Sequence, residues 1–130
     1  MREILFRGKR VATATFVHGS HVLVADRSHS IVNDNGNFWV IPETVGQFTG
    51  LTDKNGKKIF EGDIILYKIP DGSYAHGIVK FRETNEVGFC VEWFNRHDTG
   101  WLRNDIGFLA KFREIEVIGN IHDNPELLDK

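Results

Sequence analysis

The sequence predicts an all-β protein, and three observations lead there. Ten Phe, three Trp and two Tyr stand among many Val and Ile residues, with 13 Gly in 130 residues. Aromatic and β-branched side chains suit a pleated, half-buried surface, and glycine suits the tight turns between strands. The stretch "VGFCVEWF" at 87–94 alternates in period two, as a strand with one covered face does. Turn signals recur at short intervals, in "NDNGN" at 33–37, "DKNG" at 53–56, "PDGS" at 70–73 and "HDTG" at 97–100. Short strands at this spacing argue for a barrel or sandwich.

Taken in order, residues 1–45 predict an N-terminal β-hairpin layer, with Asn35-Gly36 as a hairpin turn in which both residues accept positive φ. Residues 46–130 predict a small SH3-like or OB-like β-barrel with a C-terminal tail, the barrel itself covering about residues 46–121. Its strand "DIILYKI" at 63–69 is apolar on both faces, as a central strand is. In "VGFCVEWF", Val87, Phe89, Val91 and Trp93 should face the core, while Gly88, Cys90, Glu92 and Phe94 should be partly exposed. Helical spacing over "NDIGFLAKFRE" at 104–114 is weakened by Gly107. "NPELL" at 124–128, with Asn124 as N-cap and Pro125 at the first position, predicts one short helical turn.

Composition narrows the function classes. Charged residues are 26% and hydrophobic residues 41% of the chain, the profile of a soluble globular protein. The net charge of −2 lacks the basic excess of a strong nucleic-acid binder. Cys90 is the single cysteine, so neither an internal disulfide nor a cysteine-based zinc site is expected. "MREILFRGKR" has no uninterrupted apolar core, which argues against a signal peptide. No run of about 18 apolar residues is present to form a membrane helix. A cytoplasmic setting is the expectation.

The search for chemistry finds three arrangements, each with a structural reading beside it. His18 and His21 form an H-x-x-H with His29 nearby, but the pair spans Gly19-Ser20 rather than a helix, and no metal is expected. Glu61 and Asp63 flank Gly62; on an extended segment they would share a side and could form a carboxylate pair for hydrolysis. An acidic residue just before a strand more often accepts backbone amides, and Asp63 suits that role. Trp93, Phe94, Arg96, Trp101 and Arg103 combine aromatic faces with positive charge, as in a barrel that stacks single-stranded nucleic acid; the alternative is that the tryptophans fill the core. Neither a nucleophile motif nor a phosphate-cradling loop is found, and no cofactor is implied.

Three blocks, "MREILFRG", "VGQFTGLTDKNGKKIFEGDIILY" and "EVIGNIHDNPELL", occur in this order and resemble the YopX family of phage and prophage proteins. They cover roughly a third of the chain. The resemblance marks Gln47, Thr49, Gly50, Leu51, Asp53, Lys54, Asn55, Gly56, Ile59, Glu61, Gly62 and Asp63 as the family's signature, with structural roles. It implies a small accessory protein of a phage or prophage, and it carries over no catalytic residue. A non-enzymatic module that binds a host or phage protein is therefore the expectation, with a single-stranded nucleic-acid-binding barrel as the alternative and a hydrolase using Glu61 and Asp63 as the third reading.

The ends differ in charge: residues 1–10 carry a local +3 and residues 114–130 a local −4. With the apolar "IEVIGNI" at 115–121, this predicts a homo-oligomer in which the basic end, with Arg7 and Arg10, pairs with the acidic end of another subunit; pairing of the two ends within one chain is the alternative.

Overall fold

The computed structural model describes residues 4–24, 28–68, 72–82, 88–94 and 115–129. They form the strands β1 (Phe6–Lys9), β2 (Phe16–Leu23), β3 (His29–Asn33), β4 (Gly36–Val40), β5 (Gly46–Thr52), β6 (Lys58–Phe60), β7 (Asp63–Lys68), β8 (Tyr74–Arg82), β9 (Gly88–Phe94) and β10 (Ile115–Asn120). Two short 3-10 helices, Pro42–Thr44 and Pro125–Asp129, accompany them. The all-β class holds. One sheet has the order β4-β3-β2-β1-β5-β6 and the other β10-β7-β8-β9. Every pairing for which the register is given is antiparallel. The expected closed barrel is not found among the described residues; the strands lie in two sheets instead. The chain divides into two compact units, Met1–Gly50 and Leu51–Lys130, and the division falls inside β5.

The first unit is a meander, β1 to β4, whose last strand returns to the continuation of its first. Arg10 bridges Val40, Ile41 N donates to Lys9 O at 2.9 Å, and Val11 N donates to Trp39 O at 2.9 Å. Further along, β1 pairs with β5, Phe6 opposite Gln47 and Arg7 opposite Gly46. Between these partners the chain leaves β1 for the 3-10 turn at Pro42–Thr44. There the Thr44 hydroxyl takes the place of a backbone carbonyl, accepting from Lys9 N at 2.9 Å. Ile31 and Val40 are buried inside the curl. Gly8 has no side chain where Val40 packs: a Cβ there would lie 3.0 Å from Val40 Cβ.

The hairpin predicted at Asn35-Gly36 joins β3 to β4, with Asn33 opposite Gly36. Only Gly36 takes positive φ, at 142°. Asn35 stays in the ordinary region because its N–H donates to Asn33 Oδ1 at 2.8 Å, which holds the turn without a left-handed residue.

The second unit builds its core on one face of the β10-β7-β8-β9 sheet. Ile59, Ile65, Val79, Val91, Ile115 and Val117 are its buried residues, with Leu51, Tyr67, Phe89 and Trp93 packed against them. Ile65 stands opposite Gly77 and Val117, and Gly77 opposite Trp93, so these positions share that face. The strand at 63–68 is central, as its composition predicts, and Ile64 on the other face is fully buried too. Phe89, Val91 and Trp93 do face the core, but Cys90 is also buried rather than partly exposed. Period two identifies two faces without saying that one is dry.

β10 pairs with β7, with a shift in register between Val117 and Gly119. Its apolar residues Ile115 and Val117 are thus covered inside the chain, and they no longer argue for pairing between subunits. The C-terminal helical turn is present over Pro125–Asp129. Asn124, however, turns its carboxamide oxygen back to accept from Asn120 N at 3.2 Å. The helix predicted over 104–114 and the turn at 97–100 lie outside the described residues.

Gly77 is the tightest point of the second core. A Cβ there would come within 2.2 Å of Val91 Cγ1 and 3.0 Å of Trp93 Cε3. Gly77→Ala must displace both, so a loss of about 1–3 kcal/mol is expected in urea denaturation; an unchanged midpoint would show that this packing is looser than described.

Candidate functional site

The signature stretch was the first place to look for chemistry, and its polar groups are consumed by the fold. Asp53 opens the turn between β5 and β6 and is 5% exposed. Its Oδ1 accepts from Asn55 N and Lys57 N, both at 2.9 Å. Its Oδ2 accepts from Val117 N at 2.9 Å. Lys54 N donates to Ile115 O at 3.0 Å. Ile115 and Val117 expose these groups along the outer edge of β10, the last strand of its sheet. An uncovered edge is a template for foreign strands, and this turn occupies it. Lys54 Nζ adds a solvated ion pair to Glu116 at 3.4 Å, which stabilises little.

The turn at 61–62 is stitched in the same way. Asp63, 1% exposed, accepts from Phe60 N through Oδ2 at 2.7 Å. Gly62 N donates to Val79 O at 2.8 Å, and Gly62 O accepts from Ile121 N at 3.0 Å. Gly62 and Gly56 have φ of 92° and 81°, values that glycine reaches without a steric penalty. Of the other signature residues, Gln47, Thr49 and Gly50 lie on β5, Thr49 buried, and Leu51 and Ile59 pack in the second core.

Glu61 and Asp63 do not lie on the extended segment that the carboxylate-pair reading assumed. Glu61 and Gly62 form a turn, and the Asp63 carboxylate is directed to a backbone amide. Among the described residues no group of three or more His, Cys, Asp or Glu is placed to hold a metal ion.

The aromatic–basic set is only partly within view. Trp93 packs against the core, its ring 5.9 Å from that of Tyr67 and its indole nitrogen buried. That is the core-filling arrangement rather than an exposed stacking platform. The Phe94 side chain, Arg96, Trp101 and Arg103 lie outside the described residues. Arg7 and Arg10, the basic residues assigned to a contact between subunits, sit over aromatic rings of their own unit. Arg7 lies 4.6 Å from the Phe16 centroid and Arg10 lies 4.5 Å from that of Phe38.

The histidines at 18, 21 and 29 separate by face. His18 stands opposite Arg7; burial first, and then that guanidinium, hold its imidazole below the usual range. His21 Nε2 lies 2.7 Å from His29 Nδ1, across the β2–β3 pair.

What the sequence reading passed over is the outer face of the first unit. Register puts Val22, Ser30 and Trp39 in one cross-strand row and Ser20, Val32 and Asn37 in the next, on the same face. Val22, Val32 and Trp39 are exposed, Trp39 by 52%. The signal was available in "GNFWV" at 36–40, where Phe38 and Val40 alternate with Trp39.

These features define a small antiparallel β protein of two units, whose signature loops serve its scaffold. The YopX protein family model matches residues 7–129, and the chain belongs to that family. Its fold is similar to the crystal structure of protein EF1440 from Enterococcus faecalis, at a TM-score of 0.59 and 22% identity, covering 98% of this chain and 99% of that one. No curated protein matches the chain.

Asp53→Ala removes the acceptor for three backbone N–H groups, one of them buried on β10. A loss of about 3 kcal/mol is expected in chemical denaturation, since a buried donor left unpaired costs about 1–3 kcal/mol by itself. A change under about 1 kcal/mol would show that water replaces the carboxylate without penalty.

Proposed function

We propose that this protein is a non-enzymatic accessory protein of a phage or prophage, acting in the host cytoplasm by binding another protein through the outer face of its first unit. The exposed Trp39 on β4, opposite the buried Ser30 of β3 and on the same face as the exposed Val22 and Val32, carries this reading. Tryptophan is the side chain most often found at the energetic centre of a protein interface. Here it stands on a rigid sheet with apolar neighbours rather than on a mobile loop. Membership of the YopX family supports the phage origin. The use of Asp53 and Asp63 as backbone acceptors supports a non-catalytic role for the signature, because both carboxylates are already engaged.

The test is a tagged pull-down from induced cells, with and without nuclease, comparing the wild type with Trp39→Ser. A captured protein that resists nuclease should bind the variant at least about tenfold more weakly, as loss of an interface tryptophan entails, while the variant's melting temperature stays unchanged. Nuclease-sensitive capture, or salt-dependent binding to single-stranded DNA weakened in Trp101→Ala, would establish the nucleic-acid reading instead.

A further inference from the structure

We infer that His21 and His29 form an acid-sensitive latch holding β2 to β3 in the first unit. The two rings meet across the strand pair, His21 Nε2 to His29 Nδ1 at 2.7 Å. Their centroids are 5.0 Å apart and their planes differ by 13°. An N–H···N hydrogen bond between imidazoles needs at least one neutral ring, because a protonated imidazole has two donors and no acceptor. With no proton or one proton added, the pair keeps its bond. With two, both facing nitrogens carry hydrogen and both rings carry charge, so the contact becomes repulsive.

The surroundings favour the uncharged state. The Phe6 ring from β1 lies 5.4 Å from that of His21. Beside it on the same face, register places Gly8 and Arg10 from β1 and its continuation, Ile31 from β3, Phe38 and Val40 from β4, and Gln47 from β5. Among the described residues Arg10 is the one charged side chain that register places on this face, and no carboxylate stands there to balance a second imidazolium. His18 and Arg7 occupy the opposite face of β2 and β1. In agreement, the His21 imidazole is held below its ordinary value of 6.5, by burial first and by the charge of His29 second.

A histidine with a lowered folded-state value binds fewer protons when folded than when unfolded, in the window between that value and 6.5. Stability of the first unit is therefore complete above the window and falls as the pH falls through it. The β2–β3 pair is the element released, while the β7–β8 pair has no part in the contact.

Nitrogen-15 NMR of the imidazole rings is the direct test. In the wild type, His21 should titrate below 6.5, and the shared hydrogen should give a nitrogen–nitrogen coupling between His21 Nε2 and His29 Nδ1. In His29→Gln, His21 should titrate in one step, closer to 6.5. Amide hydrogen exchange gives the second readout. Between about pH 7.5 and pH 5, opening at Val22 and Ser30, corrected for intrinsic rates, should rise at least about threefold more than opening at Ile65 and Gly77. That excess should vanish in the double variant His21→Gln/His29→Gln. Absence of that nitrogen–nitrogen coupling in the wild type overturns the proposal even if the variants fail to fold. So does an equal pH response in the wild type and the double variant.

Discussion

The Asp53 carboxylate is the interaction on which the second unit most depends. It closes its own turn through the amides of Asn55 and Lys57, and it reaches across to Val117 on the last strand. One side chain thereby fixes a local loop and a contact 64 residues away in sequence. A neutral residue of the same size would meet fewer of these donors, because an ionised carboxylate is all acceptor. With the edge of β10 occupied, Ile115 and Val117 can be fully apolar without inviting another chain to pair there. The Asp63 turn repeats the device on a smaller scale, tying the start of β7 to β8 and to Ile121.

The two units put their unusual residues to different uses. In the second, polar groups at the turns are directed inward to backbone amides, and the apolar residues close over one face of a sheet. In the first, the curl of β1–β4 encloses a small core of Ile31 and Val40, leaving large side chains outside. Arginines lie over phenylalanine rings, histidines meet in a pair, and Trp39 faces outward. So small a curl buries little surface for its size.

Much of this was legible from short-range pattern. Period two in "VGFCVEWF" and continuous apolarity in "DIILYKI" placed β9 and β7 correctly, because strand periodicity is a local property. Asp63 was recognisable as a backbone acceptor because its partner, Phe60, is three residues away. The role of Asp53 was not, since Val117 lies far along the chain and no local signal links them. Cys90 was misjudged for a related reason: alternation reveals that a strand has two faces, and whether both are covered depends on distant elements. Trp39 shows the complement. Its alternation with Phe38 and Val40 is plain, but which set turns inward is decided by the bridge from Val40 to Arg10.

The divided pairing of β1 bears on how the chain is made. β1 leaves the ribosome before its partners and finds β2 at once through a short turn, but its other edge stays open until Trp39–Ile41 and then Gly46–Gln47 have emerged. Among β1, β2 and β3, β1 is therefore the last to be paired on both sides. During synthesis the nascent chain presents a half-paired strand for the time needed to add roughly 30 residues, on the order of seconds at ordinary elongation rates. Short length and positive charge at Arg7, Lys9 and Arg10 are the properties that keep such a transient edge from pairing with a neighbouring chain.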